Sequence, residues 1–167
     1  MIKILPNYMT NSPHNSDKLQ VFIQTNSPGE LSSWVTPIVK QLKSQDPNCY
    51  ITVYLTPCQY ASGQEEKNAL AIDGVDQVWS VRKTIKKLCG WRFLRCNKGV
   101  ILYLGGGPFY AQWLRLRTNY PLYGYTEHNA NLGLLFKRVF YRAKDGDLMA
   151  SHIAQYKLEQ KNTVNTE

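Results

Sequence analysis

The sequence lacks the features that identify several large classes of protein. It contains no run of about 18 apolar residues, so no segment predicts a transmembrane helix. The N-terminal stretch holds only a short apolar patch before polar residues follow, which is unlike a secretory signal. The four cysteines fit no C-x-x-C spacing, and the three histidines have no metal-ligand spacing. We therefore expect reduced cysteines, a cytoplasmic location, and neither a metal nor a cofactor.

Acidic residues are missing from one stretch of an otherwise nearly neutral chain. Val81–Val100 contains seven basic residues and no acidic one, whereas the rest of the chain has 13 basic and 12 acidic residues. Most of the net charge of +8 therefore lies in this segment, where aromatic and basic side chains alternate. Such a mixture favours an anionic membrane surface. The candidate membrane-surface residues are Lys86, Lys87, Trp91, Arg92, Phe93 and Arg95.

The basic segment does not by itself require a membrane. Its composition is equally consistent with an ordinary solvated face. Nucleic acid is a less favoured partner, because the sequence shows no signature of a nucleic-acid-binding fold. All three interpretations of Val81–Val100 stay open at the level of sequence.

Apolar and β-branched runs alternate with helical patterns along the chain. Strands are predicted at 21–25, 50–55, 75–80, 100–104 and 122–125. The clearest helix follows Ser27, with Pro28 at the first helical position and Glu30 three residues after the cap. This order predicts the α/β class, with a doubly wound, Rossmann-like parallel sheet. We expect the domain to span 19–153, between a polar leader at 1–18 and a polar tail at 154–167.

Two of the predicted strands end in glycine where a helix begins. Ser27-Pro28-Gly29-Glu30 follows the first strand, and Gly105-Gly106-Gly107-Pro108 follows the fourth. In a Rossmann-like sheet these strands are neighbours, and ligands bind in the crevice outside their carboxyl ends. The sequence therefore predicts a substrate site there, with Glu30 as the candidate catalytic residue. The candidate binding residues are Ser27, Gly29, Ser32, Ser33, Gly105, Gly106, Gly107 and Glu127.

Each of these residues could also serve a purely structural role. The glycines permit close packing of helix on strand, Glu30 completes a capping box, and Glu127 is a solvated loop acid. Neither turn matches G-x-G-x-x-G or G-x-x-x-x-G-K-[ST], so the sequence argues against NAD or ATP as the ligand.

Five pieces of the sequence resemble, in order, the N-terminal half of lipid-A-disaccharide synthase and its cyanobacterial-type relatives. They are VFIQTNSPGELSSWVTPIVKQL, YLTPCQYASGQE, GVDQVW, ILYLGGGPFYAQWLRLRTNYPLYGYTE and GDLMASHI. Gly29-Glu30 with Ser32 resembles the G-E-x-S motif of that family. The resemblance implies a GT-B glycosyltransferase that transfers an acylated glucosamine from a UDP-sugar to a lipid-linked acceptor, with inversion and without a metal. It also implies that this half holds the acceptor and the base, while the other half holds the UDP-sugar.

The sequence departs from that family in two places. The family has an aspartate in the turn after the fourth strand, where this chain has Gly105-Gly106-Gly107-Pro108 and no carboxylate. The chain also stops where the donor domain of the family begins. We therefore expect an acceptor-type domain for lipid A biosynthesis that is truncated and inactive alone, and that works with a separate donor domain. It is expected in the cytoplasm or peripherally at the inner membrane.

Two alternative functions remain open at the level of sequence. One is a remnant module that binds a sugar, a phosphate or a membrane surface without chemistry. The second is a basic domain that binds nucleic acid.

Overall fold

A computed structural model of the chain describes residues 18–59, 61–90, 98–126, 132 and 134–141. Its strands form one sheet in the order β3-β2-β1-β4-β5-β6, and every neighbouring pair is parallel. The strands are β1 Gln20–Thr25, β2 Tyr50–Leu55, β3 Gln77–Trp79, β4 Gly99–Tyr103, β5 Leu122–Thr126 and β6 Arg138–Tyr141. This order confirms the predicted doubly wound, Rossmann-like fold. The leader up to residue 17, the tail and the GDLMASHI piece lie outside the described residues.

Helical segments connect the strands. They are α1 Pro28–Glu30, a π-helical turn Leu31–Val35, α2 Thr36–Gln45, α3 Glu65–Leu70, α4 Val81–Cys89 and α5 Pro108–Thr118. The first three run on without a break from the predicted N-cap, Ser27. Helix α5 ends at Asn119, which has a left-handed φ of 58°. In the part of the chain that the structure describes, no helix has both the length and the apolar character needed to cross a bilayer.

The π-helical turn is a local feature that hydrophobic spacing does not predict. The Thr36 N–H donates to the Leu31 carbonyl, five residues earlier, and the Thr36 hydroxyl donates to the same carbonyl at 2.8 Å. Pro37 explains this, because it lacks an N–H and its ring would clash with the carbonyl four residues earlier in a regular helix. The wider turn relieves that clash, and such turns are frequent near functional sites.

The sheet separates two apolar cores. Along β1, Val21 and Ile23 pack into one core and Phe22 into the other, because successive side chains point to opposite faces of a strand. Helices α2 and α3 cover the first core. Helices α4 and α5 cover the second, where Leu88 and Leu114 are buried. Burial on both faces is typical of a parallel sheet and leaves the strand ends as the place for a ligand.

Helix α3 begins at a buried carboxylate. Glu65 is 6% exposed and accepts hydrogen bonds from the Ser62 N–H at 2.6 Å, the Ser62 hydroxyl at 2.9 Å and the Gly63 N–H at 3.0 Å. Burial raises the pKa of this carboxyl, but the hydrogen bonds from Ser62 and Gly63 outweigh it and hold the pKa below its ordinary value. The charged form therefore stabilises the folded state.

We expect Glu65→Gln to lower the free energy of unfolding by about 1 kcal/mol at neutral pH, because one anionic acceptor is lost from three donors. The folded-state pKa lies below the unfolded one, so the stabilisation is present above the ordinary value of 4.5 and is lost as pH falls through the folded-state value. Urea unfolding across this range should show the wild-type advantage shrinking with acid. Glu66→Gln, at an exposed neighbour, is the control, and an advantage that does not change with pH would contradict the assignment.

Candidate functional site

The crevice lies at the carboxyl ends of β1 and β4. Strand β1 pairs with β2 on one side and with β4 on the other. The connection after β1 leads to β2 and the connection after β4 leads to β5, so the two connections run in opposite directions from this point. Both α1 and α5 begin at this edge, directly after the two glycine turns. The structure thus places Gly29 and Gly105–Gly107 at one edge of the sheet, where two helices begin.

The carboxylate of Glu30 lies between the two turns. Its Oε2 accepts a hydrogen bond from the Thr25 hydroxyl at 2.7 Å and another from the Asn26 N–H at 2.9 Å. A side chain on Gly105 would overlap this carboxyl group, so the carboxylate rests directly on the backbone of the second turn. Within the described residues Oε1 has no hydrogen-bond partner, and the residue is half-buried. One oxygen is therefore held in place and the other is available to a ligand.

The predicted capping box forms only in part. The Ser27 hydroxyl accepts the Glu30 N–H at 3.3 Å, as a cap should. The Glu30 carboxylate, however, binds the N–H of Asn26, one residue before the cap. This shift brings the carboxylate over Gly105 and is the reason that it faces the crevice.

The three carbonyls of the glycine turn are all held from inside the protein. The Gln24 amide donates to the carbonyls of Gly105 at 2.8 Å and Gly107 at 2.9 Å, and the Tyr103 hydroxyl donates to that of Gly106 at 2.7 Å. Gln24 is fully buried, and its own oxygen accepts from the Tyr54 hydroxyl at 3.3 Å. Because a carbonyl and the next N–H point in opposite directions, the N–H groups of this turn point away from these donors.

Gly106 is the residue of the turn at which both the backbone conformation and a close contact disfavour a side chain. Its φ of 79° lies in the left-handed region, and a side chain there would overlap the Thr56 hydroxyl. Thr56 follows β2 and is 1% exposed, and its Oγ1 has no hydrogen-bond partner in the described part of the chain. The backbone of the turn thus reaches across the end of β1 to the end of β2.

Burial raises the pKa of the Tyr103 hydroxyl, and the negative charge of Glu30 raises it further. The hydroxyl therefore stays protonated and remains a donor to the glycine turn at any physiological pH.

The remaining residues predicted for the crevice differ in what they contact. Gly29 is exposed, with open space around it. The Ser32 hydroxyl donates back to carbonyls of its own helix, those of Pro28 at 3.3 Å and Gly29 at 3.1 Å. Ser33 is exposed on the same helix. Glu127 lies outside the described residues, one position after the end of β5.

The structure describes two of the residues predicted for a membrane surface. Lys86 is exposed on α4, and Lys87 is exposed with its Nζ 5.8 Å from the centre of the Trp79 ring. Trp91, Arg92, Phe93 and Arg95 lie outside the described residues.

Sequence reasoning missed the residues that hold the turns, namely Gln24, Thr25, Tyr54, Thr56 and Tyr103. One signal was present, since a glutamine inside the apolar run VFIQT must find buried hydrogen-bond partners. Nothing in the sequence indicates that the partners lie 81 and 83 residues away.

No protein-family model matches the chain, and neither does any curated protein sequence. The crystal structure of TarM is similar over 85% of this chain and 28% of that chain, with a TM-score of 0.49 and 12% sequence identity. The chain thus spans little more than a quarter of the length of TarM. A similarity at this level adds nothing on the site, and the strand order alone defines the fold.

Proposed function

We propose that the chain is the acceptor-binding domain of a glycosyltransferase related to lipid-A-disaccharide synthase. The observation that carries the proposal is the position of the Glu30 carboxylate, between two glycine turns at the crevice, with one oxygen held and one free. The fold is the one that the family resemblance implies for the acceptor half. The acceptor would be a lipid-linked sugar, and the UDP-sugar would bind to a second domain.

The chemistry of the crevice suits a sugar hydroxyl. A free carboxylate oxygen accepts a hydroxyl proton within hydrogen-bond distance, which is the geometry that a general base requires. Thr25 and Asn26 fix the carboxylate, so it costs little conformational entropy to use it for positioning. The N–H groups of Gly106 and Gly107 offer donors for an oxygen of the same ligand.

A sugar-binding module without chemistry is the second candidate. The observation that favours it is the turn at 105–107, which carries no carboxylate where the family has an aspartate. The two candidates predict the same ligand and differ only in turnover.

Binding is tested with a short-chain acylated glucosamine, titrated into the full chain and followed by NMR shifts. We expect weak, saturable binding and no competition from UDP. Gly106→Ala should weaken the binding about tenfold, because a displaced turn would lose one or two hydrogen bonds from its backbone N–H groups to the ligand. Glu30→Gln should weaken it by a similar factor, since the free anionic acceptor is lost.

Gly63→Ala is the matched control for the glycine variant. Gly63 has a φ of 80°, almost that of Gly106, but has open space around it and lies in the loop before α3. The backbone strain is therefore the same and the location differs. Equal loss of binding in both variants, or binding that Glu30→Gln leaves unchanged, would overturn the assignment of the crevice.

A further inference from the structure

Two helices on one side of the sheet carry no acidic residue. The sequence from Gln77 to Thr126 contains nine basic residues and neither aspartate nor glutamate. Helices α4 and α5 both belong to this stretch and pack on the same side of the sheet, where Leu88 and Leu114 share one core. The Arg117 guanidinium donates to the Gly90 carbonyl and so ties the end of α4 to α5. The two helices thus form a single outer surface, here called the α4–α5 face.

Helix α5 exposes a row of large apolar side chains on that surface. Phe109 is 62% exposed and Leu116 is 70% exposed, while Ala111 and Leu114 face the sheet. Trp113 lies between them, four residues after Phe109, with the two ring centres 5.4 Å apart, and it is partly exposed because it also packs against the second core. Residues at this spacing share one side of a helix and here extend over two turns, roughly 10 Å. Ile85 adds an apolar side chain on α4 that is 42% exposed.

Basic side chains accompany this row. Arg82, Lys86 and Lys87 are exposed on α4, with no acidic residue on either helix to neutralise them. The opposite side of the sheet differs, because α3 carries two glutamates beside Lys67 and, of the two lysines on α2, Lys43 pairs with Asp76 at 2.8 Å. Among the described helices, only those of the α4–α5 face therefore combine uncompensated positive charge with exposed aromatic and aliphatic side chains.

We propose that the α4–α5 face docks on an anionic lipid surface, with Phe109, Trp113 and Leu116 inserted at the interface and Arg82 and Lys86 against the headgroups. Helical surfaces with this composition bind membranes through apolar insertion and electrostatic attraction. The proposal goes beyond the proposed function, because it assigns a surface outside the crevice and requires no transfer reaction.

The composition favours lipid over the alternative partners of a basic surface. Nucleic acid attracts lysine and arginine, but exposed Phe109 and Leu116 on a helix gain little from a phosphate backbone. A stable protein interface needs about 800 Å² from each partner, well beyond three side chains on one ridge. A lipid surface requires no matching shape, so a short apolar row beside positive charge is sufficient.

The test is co-sedimentation of the full chain with phosphatidylcholine vesicles that contain or lack phosphatidylglycerol, at low and high salt. We expect binding only to the anionic vesicles and a fall in affinity with salt. Arg82→Ala with Lys86→Ala should weaken binding about fivefold for each residue removed. Phe109→Ala with Leu116→Ala should weaken it at least about tenfold, with an unchanged circular dichroism spectrum since both side chains are exposed.

Matched controls come from the opposite side of the sheet. Lys40→Ala removes an exposed charge from α2, and Leu70→Ala removes a side chain that is 58% exposed on α3. Both should bind as the wild type does. Equal binding to neutral vesicles, or equal losses in the control variants, would overturn the proposal. So would tighter binding to duplex DNA or RNA that survives Phe109→Ala with Leu116→Ala, or a concentration-dependent dimer that this pair abolishes.

Discussion

Gln24→Met is expected to lower the free energy of unfolding by about 3–5 kcal/mol. The methionine matches glutamine in length but cannot donate to the carbonyls of Gly105 and Gly107 or accept from the Tyr54 hydroxyl. Each buried polar group left without a partner costs about 1–3 kcal/mol, so the loss at the buried Gly105 carbonyl and Tyr54 hydroxyl, with a smaller loss at the partly buried Gly107 carbonyl, outweighs any gain from a more apolar side chain. Urea or thermal unfolding measures the difference.

Gln112→Met is the matched control for this prediction. Gln112 is half-buried on α5 and makes one hydrogen bond, to the Leu132 carbonyl at 2.7 Å. The same substitution there should cost no more than about 1 kcal/mol. Similar costs at the two positions would mean that the hydrogen bonds from Gln24 to the glycine turn contribute little to the free energy of unfolding.

Gln24→Met also tests whether the Gln24 hydrogen bonds position the site in addition to stabilising the fold. Without Gln24 the Gly105 and Gly107 carbonyls lose the donor that fixes their direction, and the Gly106 N–H, on the opposite side of the Gly105–Gly106 peptide, is no longer held in place. A Gln24→Met chain that still folds should therefore bind the acylated glucosamine more weakly than the wild type does.

Local patterns in the sequence predict the fold well. The cap at Ser27 begins the first helix, and the five predicted strands form within two residues of their predicted bounds, to which the structure adds β6. Strand, helix, strand repeats leave few topologies, because parallel crossovers are right-handed. The signals are local, and the element boundaries depend on neighbours a few residues away.

The site depends on contacts that local patterns do not contain. The sequence pattern predicts that Glu30 completes a capping box, yet its carboxylate accepts the Asn26 N–H and lies on Gly105, 75 residues along the chain. Thr56 follows the predicted strand at 50–55, and nothing in the local pattern indicates that it lies under Gly106. Such positions follow from how β1, β2 and β4 align in the sheet, and that alignment depends on contacts between segments far apart in the sequence.

A UDP-acylglucosamine is expected to give no transfer to a lipid-linked acceptor when the 167-residue chain is assayed alone. The family resemblance places the donor on a second domain, and positioning the two reactants contributes roughly 7–11 kcal/mol to lowering a barrier. The turn at 105–107 also lacks the carboxylate that the family uses, which accounts for a further factor of about 10²–10⁴ in rate. Turnover by the chain alone would show that neither a second domain nor a carboxylate in the turn is required.

Adding a homologous donor domain separates the two deficits. We expect slow turnover at best from the wild-type chain, with any turnover lost in Glu30→Gln because, among the residues that the structure describes, Glu30 is the carboxylate placed at the crevice. Turnover that survives Glu30→Gln would exclude Glu30 as the base and leave it a positioning role.

Gly107→Asp should then raise turnover by about 10²-fold or more if the missing carboxylate limits the rate. Gly107 is exposed, and a Cβ atom added there would lie 3.6 Å from the Tyr110 ring, an ordinary van der Waals contact. Gly107 is also the N-cap of α5, where aspartate and asparagine stabilise a helix about equally. Gly107→Asn is therefore the decisive control, because it supplies the cap and the shape without a base. Equal activity in the two variants would show that an ordered helix, and not a proton acceptor, was lacking, whereas activity in Gly107→Asp alone would identify the carboxylate as the missing catalytic group.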